Sequence, residues 1–269
     1  MLFLVCKNTE RVLALEQDLK NENLEDYMSV ALDVGEKLLI AGAEIGRCED
    51  TINRIMTAYG AKTTHVFTVI AGIIVTSIDN NGKAYTQLRR VKGSKFNLHK
   101  MEKLNQLSRD ICRDTPDTET VKKELLEIEK TPTYPLYLNI LAYSFISAAF
   151  SAFFSGNLMN MPAAAITGVV MCLWETLFVK FKIDGMFTTC ACSFLAGLNN
   201  VILIKLGIGF DFASISIGNI MLLIPGIAMT NSIRDMFGGD FISGTSRLFQ
   251  SMTIAFLVAL GFTSAGMLV

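Results

Sequence analysis

Hydrophobic and polar positions change rhythm near residue 135. Before it, apolar residues recur at helix or strand spacing among many charges; after it they run in long blocks. In the first part Met28, Ala31, Val34, Leu38 and Leu39 fall at helical spacing and predict a helix from about Asn23 to Ala41, punctuated by Gly42. The run GAEIGRCEDTINRIMTAYG predicts a second helix, with Ile45, Ile52, Ile55 and Met56 on one side and Gly60 as its stop. His65–Ile70 and Ile73–Ile78 are β-branched and apolar and read as strands, and Asn81-Gly82 marks a hairpin turn before Lys83–Val91. Further helices cover about Leu98–Arg113, with Asn97 as N-cap, and about Thr118–Lys130. Residues 1–23 read as a polar leader or short helix, and Thr131–Pro135 as a hinge.

The apolar blocks give five candidate membrane spans: Leu138–Ser155, Leu158–Val179, Gly185–Ile204, Phe212–Met229 and Leu248–Val269. Small residues recur at every fourth position, as in Ser144, Ala148, Ala152 and Gly156, and such stripes let helices pack closely in lipid. The expected fold is an N-terminal α+β cytoplasmic domain, 1–135, followed by a five-helix transmembrane domain, 136–269.

Charge sharpens this division. Residues 1–137 hold 19 of the 24 Lys and Arg and 20 of the 25 Asp and Glu; the remainder holds 5 of each. Neither part is strongly basic, which argues against a nucleic-acid partner. Lys122, Lys123, Lys130, Lys180, Lys182, Arg234 and Arg247 fall near span ends on one side, and Lys205 on the other. The positive-inside bias therefore predicts a cytoplasmic N-terminal domain and an outside C-terminus. MLFLVCK does not read as a secretory signal, having a very short apolar run and no basic leader. Cys6, Cys48, Cys112, Cys172, Cys190 and Cys192 lack zinc-type spacing and read as free thiols, and no metal or cofactor is expected.

Within this frame one stretch concentrates unusual chemistry. Leu222–Phe249 carries Pro225, Gly226, Asn231, Arg234, Asp235, Asp240 and Arg247 between two apolar segments. Pro225 has no N–H to give the Met221 carbonyl, so the helix should break there. The result is a broken helix beside a charged, glycine-rich turn. Asn231 and Asp235 share a face if the helix continues that far. Asp235 and Asp240 are candidates for proton coupling or for holding an ammonium group, and Arg234 or Arg247 for gripping a carboxylate. Glu175, after Trp174 near a span end, is a weaker candidate; Asn199 and Asn200 read as interhelical hydrogen-bonding groups. Glu44, Arg47, Glu49 and Asp50 cluster at a helix start, where acidic groups complement the dipole; His65 and His99 read as ordinary surface or core histidines.

PGIAMTNSIRDMFGGDFISGTSRL resembles the signature of the threonine/serine exporter family, and GAEIGRCEDTINRIMTAYGA, VIAGIIVTSIDNNG and FNLHKMEKLNQL resemble that family's N-terminal cytoplasmic domain. The resemblance runs from about Leu24 to Val269. It implies the larger subunit of a split exporter, working with a small companion membrane protein of the same family. The implied substrate is a small polar metabolite, of threonine/serine type or, as in some split relatives, succinate. A homo-oligomer also stays open, and the lipid bilayer is the surrounding partner.

Two rival classes remain. An intramembrane aspartyl enzyme would use Asp235 and Asp240 as a carboxylate pair, but both come from one turn, and no H-E-x-x-H, G-x-S-x-G or P-loop string occurs. Gly238-Gly239-Asp240-Phe241 invites comparison with nucleotide cyclases but lacks the acidic residue that should follow. A membrane sensor would use the N-terminal domain to read a metabolite. The expectation is a secondary transporter subunit, with a proton as the default coupling ion, rather than an enzyme.

Overall fold

The computed structural model describes residues 24–93, 96–132, 134–155 and 157–268. It is mostly helical, with one small sheet, and divides into two units. The first runs to Thr131 and also takes in Asn231–Ser246; the second holds Pro132–Thr230 and Arg247–Val269. The predicted leader 1–23 and Cys6 lie outside the described residues.

In the first unit, α1 (Leu24–Ile40) and α2 (Ile45–Ala58) carry most of the core. Met28, Leu32, Val34 and Leu38 of α1 and Ile45, Ile52, Ile55 and Met56 of α2 are all buried. Each such side chain contributes about 1.5–3 kcal/mol when fully removed from water. Cys48 Sγ sits between these helices and donates to the Gly35 carbonyl at 3.3 Å. Burial pushes its thiol up to about 12, which makes it a neutral packing group rather than a nucleophile.

The sheet is an antiparallel meander of β1 (Thr63–Val69), β2 (Gly72–Ile78) and β3 (Ala84–Arg90). Ile73 and Val75 of β2 turn into the core. Between β2 and β3, Asp79 Oδ1 accepts from the N–H groups of Asn81 and Lys83, both at 2.8 Å, and Gly82 takes a positive φ of 84°. Helix α3 (Leu98–Asp114) begins as the sequence predicts, with Asn97 Oδ1 accepting from Lys100 N–H at 3.0 Å. Helix α4 (Thr118–Glu129) starts in the same way at Asp117.

The second unit contains α5 (Leu136–Ser155), α6 (Met161–Lys180) and α7 (Gly185–Lys205), with a 3-10 turn at Leu158–Asn160 before α6. Helix α8 (Phe212–Leu223) and the start of α9 (Gly226–Phe237) follow, and the unit ends with most of α10 (Phe241–Gly266). Among the described residues, four segments are long and apolar enough to cross a membrane: Leu136–Phe154, Leu158–Lys180, Gly185–Lys205 and Phe241–Gly266. The bent pair α8–α9 makes a fifth if counted as one span. The chain is thus a multi-pass membrane protein.

Small residues set the packing distance in this unit. An added Cβ on Gly218 of α8 would run into the Ser147 carbonyl and Ser151 of α5, so only glycine permits that approach. Elsewhere Met171, Ala196, Val258 and Phe262 form a shared apolar cluster of α6, α7 and α10.

Two boundaries differ from the sequence reading. The last helix starts at Phe241, not near Leu248, and the glycine-rich turn shrinks to Gly238–Asp240. The reason is local: residues 241–247 contain no proline, the Asp240 carbonyl accepts from Gly244 N–H at 2.9 Å, and an isolated glycine is tolerated within a helix.

Candidate functional site

The break falls where Pro225 predicts it. Helix α8 ends at Leu223, Ile224 is extended, and α9 begins at Gly226, bent by 55° from α8. Helix α9 then continues to Phe237, so Asn231, Arg234 and Asp235 do lie along one helical face.

That face meets the junction between α1 and α2. Asn231 Nδ2 donates to the Gly42 carbonyl at 3.0 Å. The Arg234 guanidinium pairs with Glu44. Asp235, only 3 % exposed, accepts at Oδ1 from the Ile45 N–H at 3.1 Å. The Ile45 N–H is the first donor of α2, and Glu44, at the N-cap, makes no capping hydrogen bond with its side chain. Helix starts leave such donors without intrahelical partners, and the dipole there favours a negative neighbour. Asp235 therefore caps α2 from 190 positions away in the chain.

Asp240 follows Gly239, whose φ of 100° turns the chain from α9 into α10. Its charge acts on Glu49, whose Oε1 accepts from the Thr68 N–H at 2.8 Å. Burial raises the Glu49 carboxyl above its ordinary range, the Thr68 bond opposes this, and Asp240 adds to the rise. Gly244 of α10 packs on α9, where an added Cβ would lie 2.7 Å from the Ser232 carbonyl.

The remaining candidates belong to the second unit. Pro225 and Gly226 form the break. Arg247 is 9 % exposed within α10, and its carbonyl accepts from the Ser251 hydroxyl at 2.9 Å. Glu175 of α6 accepts a hydrogen bond from the Tyr143 hydroxyl of α5. The structure thus brings Asn231, Arg234, Asp235 and Asp240 into one unit and leaves Glu175 and Arg247 in the other.

A second polar group lies among α6, α7 and α8. Asn199 Nδ2 donates to Thr167 Oγ1 at 2.7 Å, and Thr167 Oγ1 donates to Asn200 Oδ1 at 2.7 Å. Asn200 Nδ2 reaches Ser216 Oγ at 3.1 Å, and Asn219 Nδ2 reaches Asn200 Oδ1 at 3.3 Å. Asn199 and Asn200 do bond between helices, as the sequence suggests. Thr167, Ser216 and Asn219 escaped that reading; the available signal was a carboxamide, Asn219, in a mostly apolar segment.

Among the described residues, no group of three His, Cys, Asp or Glu side chains is placed to hold a metal ion. Cys48, Cys112, Cys172, Cys190 and Cys192 are free thiols.

Comparison with known proteins gives a consistent assignment. The sequence pattern of the family described as "Putative threonine/serine exporter" matches residues 29–269. A threonine/serine exporter of Corynebacterium glutamicum is 23 % identical over 232 residues, covering 84 % of this chain but 47 % of the exporter. The chain thus spans about half the length of that relative. The "Probable succinate transporter subunit YjjP" of Klebsiella aerogenes is 21 % identical over 229 residues, covering 85 % of this chain and 88 % of the relative. Its Escherichia coli K12 counterpart is 20 % identical over 230 residues, at 85 % and 89 %. No solved structure matches the chain. With a match across nearly all of its sequence, the chain belongs to the threonine/serine exporter family.

Proposed function

We propose that this chain is the larger subunit of a secondary exporter that moves a small polar metabolite, of threonine/serine type, out of the cell. The observation that carries the reading is the helix broken at Pro225 and continued as a polar face, beside four further helices among the described residues that are long and apolar enough to cross a membrane. Broken helices are a recurring way to build a solute site at membrane depth, because they free backbone groups without exposing them to lipid. Asn231, Arg234, Asp235, Asp240, Arg247 and Glu175 are the side chains proposed to bind substrate or couple its movement to protons.

In this reading residues 1–135 form a cytoplasmic α+β domain, residues 136–269 cross the inner membrane five times, and the C-terminus lies outside. Assignment of Asn231–Ser246 to the same unit as the N-terminal elements supports a common, cytoplasmic side for them. The near-full coverage of relatives named as transporter subunits supports a companion membrane protein. Those names also favour a second reading, a dicarboxylate exporter subunit.

The test is metabolite efflux from cells with and without this chain and a companion encoded beside it. Threonine or serine should leave faster when both are present. Efflux of succinate alone would select the second reading, and unchanged efflux of all three would remove the exporter reading.

A further inference from the structure

Within the α6–α7–α8 group one fully buried side chain keeps an acceptor without a hydrogen bond. Asn219 is 0 % exposed, and its Oδ1 has no hydrogen-bond partner among the described residues. The orientation of this carboxamide is fixed by its surroundings. Nδ2 donates to the Ile215 carbonyl at 3.1 Å as well as to Asn200 Oδ1. Rotating the amide by half a turn would set its oxygen against the Ile215 carbonyl, which can only accept, so Oδ1 must be the free end.

The neighbouring helix offers a second group of this kind. Ser147 of α5 is 0 % exposed, and its Oγ likewise has no partner among the described residues. This hydroxyl lies against Gly168, next to Thr167, and the Ser147 carbonyl lies against Gly218, next to Asn219. Glycines at both positions keep the backbones close. Polar groups inside a bundle are costly unless satisfied, and helix packing explains only the satisfied ones.

We propose that Asn219, held by Asn200, which Thr167 holds in turn, forms a binding site for a hydrogen-bond donor of the transported solute, a hydroxyl or an ammonium. The proposal rests on the exporter reading above and adds a location for recognition. The donor requirement follows from the acceptor: a dicarboxylate at neutral pH has only acceptors to offer, whereas a hydroxy amino acid carries both kinds of donor. Asn219 also stands on the last turns of α8, just before the break at Pro225, so occupation of the site can be felt at the bend.

The experiment uses the purified full-length chain in lipid nanodiscs, with radiolabelled L-serine as probe and succinate as the acceptor-only control. Saturable serine binding is expected, weakened about tenfold in Asn219→Ala by loss of one neutral hydrogen bond. The melting temperature of the unliganded variant reports any purely structural effect. Unaltered serine affinity in Asn219→Ala overturns the site and leaves the exporter reading standing. Succinate binding without serine binding overturns the donor requirement, as does failure of the wild-type chain to bind serine at all; efflux from cells then judges the exporter reading separately. If Asn219→Ala fails to fold, Thr167→Val removes the hydroxyl that holds Asn200 at nearly constant volume. The same weakening is expected there, and wild-type affinity overturns the proposal.

Discussion

Asp235 accepts a hydrogen bond from the first turn of α2, where the N-cap side chain makes none. Two substitutions separate that structural role from a role in transport. Asp235→Ala leaves the Ile45 N–H without its acceptor and should cost about 1–2 kcal/mol, seen as a lower melting temperature. Asp235→Asn keeps an acceptor oxygen but removes the charge; it should melt close to the wild type while abolishing export. Wild-type efflux from the Asn variant would rule out Asp235 as a coupling group. Nearby, Glu49 predicts a pH dependence. Its folded-state carboxyl is raised above the ordinary 4.5, first by burial, with Asp240 adding to the effect. The folded protein therefore binds this proton more tightly than the unfolded chain. The associated stability is complete below 4.5 and is lost as pH rises through the raised value. Glu49→Gln should flatten the melting temperature across that window. A slope identical to the wild type's would assign the pH dependence to other groups.

At the scale of elements, what could be read along the chain and what could not have different physical origins. The cap at Asn97, the turn at Gly82 and the break at Pro225 depend on residues a few positions apart, and all occur where the sequence predicts them. The partner of Asp235 does not: it lies 190 residues away, and no periodicity encodes it. Asn219 is hidden for another reason. One carboxamide in an apolar run leaves the hydrophobic pattern intact, and only the packed helices show which of its atoms are satisfied. The start of α10 was obscured by Gly244, which reads as a loop residue. In the structure it is helical, and the close approach of α10 to Ser232 requires glycine there. Gly244→Leu should force α9 and α10 apart and lower stability by about 1–3 kcal/mol, measurable by thermal melting. A neutral effect would mean that this helix pair yields easily. The break itself is tested by Pro225→Ala. Restoring an N–H at 225 lets α8 and α9 run on as one helix, so export should fall while membrane insertion is retained. Normal efflux from that variant would show that the bend is not needed for transport.

For the whole molecule, the count of spans decides how a complete transporter would be assembled. Among the described residues four helices qualify as spans alone, and the bent pair α8–α9, counted as one span, raises the number to five. An odd number puts the two ends of the membrane domain on opposite faces, so a following copy would enter inverted. Inverted repeats place their solute sites between the copies, near the middle of the bilayer. This chain covers 47 % of the Corynebacterium exporter and 88 % of a relative named as a subunit, which fits the proposal that it supplies one copy. On the proposed reading the second copy comes from a companion protein. An inverted pair of identical chains would need insertion in both orientations, which the expected placement of the basic residues Lys180, Lys182, Arg234 and Arg247 on one side opposes. The expected result is little export by this chain alone and full export on co-expression with the companion. Reconstituted vesicles holding only this chain and exporting at the paired rate would remove the need for a partner. A reporter fused at Val269 gives an independent measurement. It should lie outside, and a cytoplasmic reporter would mean an even number of spans, with α8–α9 entering and leaving on the same face.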